Sequence, residues 1–257
     1  MFSVTPIPAF SDNYIWLLKL PDSQKVAVVD PGDAAPVIAY LNDNSLELDT
    51  ILITHHHYDH TDGVKELTDR YQVPVYGPHN SPFSGITNPL KENDTLDLWG
   101  KKLVIKEIPG HTLDHISYFS STEQPQLFCG DTLFLAGCGR LFEGTPQQML
   151  AAMNHFHSLP DNTEVYCTHE YSLANLAFAE AVEPDNADVK DAINQCTSLR
   201  NSDRPTLPSS IAQEKRINPF MRSDQASVIS AAKQFTHQTE LDQEAVFAAI
   251  REWKNQF

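Results

Sequence analysis

Five short apolar runs in this chain each stop at an aspartate or a histidine. Residues 26–30 end on Asp30-Pro31-Gly32, and residues 50–54 (TILIT) end at His55. Residues 103–108 lead into Pro109-Gly110-His111, 126–129 into Gly130-Asp131, and 164–168 into His169. Runs this short and this continuously apolar fit strands buried on both faces. Strand ends and the loops after them are where α/β architectures assemble their sites. If the five ends share one edge, metal-ligating side chains from distant parts of the chain converge there. Helical patterns at 33–42 and 63–71 lie between the strands, so the expectation is an α/β sandwich with helices covering the sheets.

After about residue 171 the strand patterns stop. Amphipathic helices are expected at 173–182, 188–199, 211–216, 226–235 and 243–255. Ser210 with Gln213 has the form of a capping box, and Asp242 suits the N-cap of the last helix. The expected division is therefore 1–170 and 171–257.

Composition excludes several function classes. Apolar residues make up 41% of the 257 and charged residues 20%, which is globular and not disordered. The formal net charge of −16 opposes binding to phosphate backbones and to anionic membranes. No apolar stretch has the ~18–20 residues a membrane span needs. The first residues do not pair a basic stretch with an apolar one, so no secretory signal is expected and the chain reads as cytoplasmic. Cys129, Cys138, Cys167 and Cys196 are widely spaced, which suggests reduced thiols and neither a disulfide framework nor a zinc knuckle.

The segment His55-His56-His57-Tyr58-Asp59-His60 directly follows a strand. In an extended stretch His55 and His57 share a face and can grip one ion. Asp59 and His60 fall at the turn into the next helix and can face a second. An ion on His55, His57 and His111 would keep a position open for water, as would one on Asp59, His60 and His169. Asp131, with two carboxylate oxygens, could bridge them. Imidazole and carboxylate suit zinc, and also iron or manganese. His56, His79, His155, His157 and His237 read as surface or packing residues. Asp30 and His115 could orient a ligand imidazole by hydrogen bonding, and Asp30 could equally be a turn residue. Two adjacent ions lower the pKa of a shared water and polarise a carbonyl or phosphoryl oxygen, so the chemistry class is hydrolysis. There is no GxSxG elbow and no Cys/His nucleophile motif; Cys138 reads as a small side chain in a tight Gly-rich turn.

The segments THHHYDH (54–60), PGHT (109–112), CGDTLF (129–134) and CTHEY (167–171) resemble the metallo-β-lactamase superfamily. PAFSDNYIW (8–16), GCGRLFEGT (137–145), NPFMR (218–222) and REWKNQF (251–257) resemble the glyoxalase II family of hydroxyacylglutathione hydrolases, along essentially the whole chain. The resemblance implies an αββα metallo-β-lactamase-type sandwich followed by an all-helical, glutathione-binding C-terminal domain. It implies hydrolysis of S-(2-hydroxyacyl)glutathione thioesters, chiefly S-D-lactoylglutathione to D-lactate and glutathione, the second step of methylglyoxal detoxification. It places His55, His57 and His111 on one divalent metal, Asp59, His60 and His169 on the other, and Asp131 between them, with zinc foremost. Asp59 then orients a bridging hydroxide and Tyr171 stabilises the oxyanion. Arg140, the Phe142 position, Tyr171, Arg251 and Lys254 are the implied glutathione contacts. Arg251 and Lys254 are three apart and share a helix face.

Two positions depart from the family pattern. Phe142 lacks the hydroxyl usual there, and Asp114 stands where glycine is usual, which would strain the backbone if φ were positive. Other enzymes of the same fold (a lactonase, a β-lactamase, a one-iron persulfide dioxygenase, a nuclease) and a non-catalytic metal- or glutathione-binding module are the competing readings. A monomer is the default expectation.

Overall fold

The computed structural model describes residues 1–257. Six strands, β1 (Ser3–Ala9), β2 (Asn13–Lys19), β3 (Lys25–Val29), β4 (Glu47–Leu52), β5 (Val75–Pro78) and β6 (Asn88–Leu90), lie side by side in chain order. The first three are antiparallel neighbours, and β3 through β6 run parallel. Helix α1 (Ala34–Asn44) makes the crossover from β3 to β4; α2 (Tyr58–Thr61) and α3 (Val64–Tyr71) make the one from β4 to β5. Further strands are β7 (Thr95–Leu98), β8 (Lys101–Glu107), β9 (Ile116–Ser120) and β10 (Gln126–Gly130). The hairpin β11 (Leu133–Phe134) and β12 (Gly137–Cys138) follows, then α4 (Pro146–His157) and β13 (Glu164–Cys167). The rest is helical apart from β14 (Ser209–Ser210): α5 (Ser172–Val182), α6 (Ala187–Arg200), α7 (Ile211–Ile217), α8 (Ala226–Thr236) and α9 (Gln243–Gln256). A second sheet has the order β14-β13-β10-β9-β8-β7.

The chain divides into two compact units. One comprises Met1–Ile108, Asp114–Gly130 and Tyr166–His169; the other comprises Pro109–Leu113, Asp131–Val165 and Glu170–Phe257.

In the first unit, strands that read as continuously apolar bury alternate residues on two faces. Ile15, Leu17, Val26, Val28, Ile51 and Ile53 pack with Ala34, Val37 and Leu41 of α1 and Val64 and Leu67 of α3. The other face meets the second sheet. Trp16 packs edge-on against Tyr166 with ring centroids 5.0 Å apart, and its indole N–H donates to the Cys167 carbonyl at 3.0 Å. The Tyr118 hydroxyl donates to the Ile53 carbonyl at 2.8 Å, tying β9 to the end of β4.

Local signals set the helix starts. The Asp33 carboxylate accepts from Ala35 N–H to open α1, and Asp242 accepts from Ala245 N–H to open α9. The Ser210 hydroxyl accepts from Gln213 N–H at α7. The sequence reading includes no helix at α4, although Thr145, Pro146 and Gln148 form a complete capping box there. The Leu17 side chain, on the interior strand β2, is fully buried in the core shared with α1 and α3, so Leu17→Ala should destabilise the protein by about 2–5 kcal/mol in denaturant unfolding.

Candidate metal centre

Adjacent parallel strands β3 and β4 end side by side, so Asp30 follows one and Thr54-His55 the other. The Asp30 carboxylate accepts from the Thr54 N–H at 2.8 Å and from the Thr54 hydroxyl at 2.7 Å. It also meets His60 Nδ1 at 3.0 Å. Asp30 is thus both a turn residue, at φ 54°, and the partner that orients His60. Gly32 comes so close to the backbone of α2 that a Cβ there would lie 1.9 Å from the Asp59 carbonyl. That contact requires glycine.

The β1–β2 turn and the first residue of β2 supply two more partners. Asp12 Oδ1 meets His169 Nδ1 at 2.7 Å, and Asn13 Nδ2 donates to Asp59 Oδ2 at 2.9 Å. A carboxylate only accepts, so Nδ1 carries the proton in His60 and His169, and each Nε2 presents its lone pair. Both Nε2 atoms point at the same oxygen: His60 Nε2 and His169 Nε2 are each 3.4 Å from Asp59 Oδ2. Two donors bound to zinc at about 2.0–2.2 Å in tetrahedral geometry stand about 3.3–3.6 Å apart. The Asp59, His60 and His169 donors all lie within 4.8 Å of one another, so this donor set fits one divalent ion without rearrangement. Burial alone would raise the Asp59 carboxyl, but the adjoining His169 and His60 imidazoles and the Asn13 amide outweigh it and hold it well below the usual carboxylate range.

His55 is fully buried, with its ring 4.7 Å from that of His57 and 4.1 Å from that of His60. The His57 carbonyl accepts from the Thr61 hydroxyl at 2.9 Å, which pins the loop entering α2. His115 stacks on the His55 ring at 4.5 Å, so it packs against that imidazole and directs its own Nδ1 to the Ile116 carbonyl. His56, read from sequence as a bystander, meets the buried Asp114 carboxylate at 2.8 Å. Asp114 is not among the positive-φ residues, so it occupies the glycine position without that strain.

The second unit carries His111 and Asp131. His111 Nδ1 donates to the Arg140 carbonyl at 2.8 Å, and His111 Nε2 is 3.4 Å from Asp131 Oδ2. The same geometric test is met: Nδ1 is engaged and Nε2 lies at ligand spacing from a carboxylate. Phe142 is exposed, with its ring edge-on to His111 at 5.3 Å and the Arg140 guanidinium 6.0 Å from its centroid. Tyr171, just after His169 in the chain, packs its ring on Phe134 at 5.4 Å and remains 39% exposed.

Arg251 is buried, unlike a solvated helix-end residue. Its Nη1 donates to the Cys138 carbonyl at 2.7 Å, its guanidinium lies 5.1 Å from the Phe220 ring, and Nε has no hydrogen-bond partner. Lys254 donates to the Ala174 carbonyl at 3.0 Å over the Phe178 ring. Burial and the neighbouring Arg251 charge pull its ammonium down to about 8. Cys138 is buried and its thiol is pushed up by that burial, as expected for a packing residue.

Residues 10–169 match the family model of the metallo-β-lactamase superfamily, and residues 170–257 match that of the hydroxyacylglutathione hydrolase C-terminus. The hydroxyacylglutathione hydrolase of Chromohalobacter salexigens is 48% identical over 258 residues, with all of both chains covered. That of Pseudomonas aeruginosa is 49% identical over the same length, again with full coverage. This chain belongs to the hydroxyacylglutathione hydrolase family. The crystal structure of ETHE1 from Myxococcus xanthus superposes with a TM-score of 0.65 at 23% identity, covering 99% of this chain and 98% of that one. At that identity the likeness speaks for the fold: a metallo-β-lactamase domain followed by a helical C-terminal domain. Family and donor set together make the centre a divalent-metal site. No helix is long and apolar enough to cross a membrane.

Asp12 and Asn13 stand in the quoted PAFSDNYIW segment but carry no role in the sequence reading. Only the segment's similarity marked them. Partners of ligand imidazoles typically matter 10–100-fold, so Asp30→Ala should weaken metal binding by about that factor in competition with a chromophoric chelator. Metal affinity equal to the parent's would show that Asp30 does not act through His60.

Proposed function

We propose that this chain hydrolyses S-(2-hydroxyacyl)glutathione thioesters, S-D-lactoylglutathione foremost, to glutathione and the free hydroxy acid as the second step of methylglyoxal detoxification. The observation that carries the reading is the convergence of His60 and His169 on Asp59 in a member of this family. In this reading the centre takes two divalent ions, zinc foremost, with iron or manganese accepted by the same donors. His55, His57 and His111 would hold one, Asp59, His60 and His169 the other, and Asp131 would offer carboxylate oxygens to both. Residues 1–170 form the hydrolytic part and 171–257 the glutathione-binding part of a cytoplasmic monomer. A chain of net charge −16 has little attraction for nucleic acid or anionic membrane.

Bound ions would supply hydroxide at neutral pH and polarise the thioester carbonyl. The chain's own residues do the rest. Asp59, held by Asn13, orients the attacking oxygen through a carboxylate that stays ionised. The Tyr171 hydroxyl donates to the developing oxyanion. Attack forms a C–O bond, and the C–S bond then breaks to release a thiolate. Its conjugate acid has a pKa near ~8.5, so no strong general acid is required. Arg140, Arg251, Lys254 and Tyr171 recognise glutathione, and Phe142 offers its ring edge in place of a hydroxyl. The buried Nε of Arg251 is an unused donor, which a glutathione carboxylate would satisfy.

Purified protein should hydrolyse S-D-lactoylglutathione, lose that activity on chelation, and contain close to two metals per chain by elemental analysis. Asp131→Ala should lose activity together with at least one metal; full metal content with normal turnover would overturn the assignment. Lys254 carries its charge below about pH 8 and loses it above. KM for the thioester should therefore rise as pH passes upward through 8, and Lys254→Met should have a higher KM at neutral pH with that dependence removed.

A further inference from the structure

The tight hairpin β11–β12 has only two residues in each strand, too few to hold its own shape. Its backbone is instead gripped by side chains from three helices. Asn218 Nδ2, after α7, donates to the Gly137 carbonyl at 2.9 Å and to the Phe134 carbonyl at 3.2 Å. Asn175 of α5 donates to the Leu135 carbonyl at 3.1 Å, and Arg251 of α9 donates to the Cys138 carbonyl at 2.7 Å. The Ala136 N–H donates to Glu214 Oε2 of α7 at 2.9 Å. That same oxygen accepts from Asn218 Nδ2 at 3.0 Å. Glu214 and Asn218 are both fully buried.

Ala136 sits at φ 54°, a left-handed conformation that a side chain adopts only when its surroundings impose it. Gly137 leaves no room for a Cβ, which would fall 2.5 Å from the Asn175 amide. The hairpin leads straight into Gly139 and Arg140. Neither Glu214 nor the NPFMR segment that contains Asn218 has a part in the hydrolysis itself.

We propose that Glu214, acting with Asn218, is a positioning residue for glutathione recognition: it fixes the β11–β12 turn so that Arg140 is presented to the substrate. The inference rests on the glutathione-thioester reading above. Burial pushes the Glu214 carboxyl up to about 7, so an uncharged acceptor of the same shape should serve the turn nearly as well. The carbonyl side of Arg140 is secured separately. Gly139 N–H donates to the Thr132 carbonyl at 3.1 Å, and Phe142 N–H to the His111 carbonyl at 3.3 Å. Loss of the clamp therefore leaves these contacts in place and loosens the turn that leads into Arg140.

The test is steady-state hydrolysis of S-D-lactoylglutathione by three metal-loaded variants, each with a thermal melt and a metal count. Glu214→Leu removes the acceptor and should raise KM roughly tenfold with a smaller fall in kcat, the scale of one lost buried hydrogen bond. Glu214→Gln keeps an oxygen for Ala136 N–H and Asn218 and should stay within roughly twofold of the parent. Glu214→Asp withdraws the carboxylate by one methylene and should raise KM roughly threefold or more. It decides the matter if the Leu variant does not fold. A folded Leu or Asp variant with parental KM would overturn the proposal, as would a Gln variant as impaired as Leu. If the parent enzyme itself does not hydrolyse the thioester, it is the functional reading that fails.

Discussion

Buried imidazoles and carboxylates at the end of a sheet are tolerable only if every one of them is hydrogen-bonded or bound to a cation. Asp30 is where this constraint acts most directly. One carboxylate, 1% exposed, joins the end of β3 to the end of β4 through Thr54 and fixes the ring of His60. Asp12 does the same for His169 from the β1–β2 turn. With the Nδ1 atoms committed, the Nε2 atoms have one direction left, toward Asp59. The protein is already strongly acidic, so gathering Asp12, Asp30 and Asp59 around this point favours a multiply charged cation over further protons. The depressed Asp59 carboxyl expresses the same preference.

The second unit applies a related economy to its backbone. A hairpin of two-residue strands cannot satisfy its own backbone groups, so asparagines and an arginine from the helices donate to its carbonyls and a glutamate accepts from its Ala136 N–H. This explains why polar residues are buried in helices that read as amphipathic. It also explains why Arg251 is not a solvated helix-end charge: part of its guanidinium is structural, anchored to Cys138 and Phe220. Lys254 beside it is held over an aromatic ring, where burial weakens its hold on a proton. Electrostatics that would be screened on an exposed helix end are thereby kept effective.

Much of this was legible from pattern. Apolar runs ending in Asp or His marked candidate ligands and the orienting Asp30, and Asp33, Ser210 and Asp242 marked helix starts. What pattern missed has a common cause. Asp12 reaches a histidine 157 residues away, and Asn13 an aspartate 46 residues away, with no periodicity linking the pairs. His56 looked idle because its partner Asp114 lies 58 residues on. The helix α4 was legible too, since a capping box precedes Met149, Leu150, Met153 and Phe156 at helical spacing, yet the sequence reading includes no helix there.

The sequence by itself determined the strands, the helical tail, the ligand types and the family, because those depend on local hydrophobic periodicity and on motifs a few residues long. The tertiary structure alone decided which nitrogen of each histidine faces the centre, whether Asp30 orients or merely turns, and that Asp114 carries no left-handed strain. It also decided that Arg251 is anchored and that Glu214 grips a turn. Each of these depends on hydrogen bonds between residues far apart in the chain. Such bonds have directions and lengths set by packing, and packing has no signature in the order of residues.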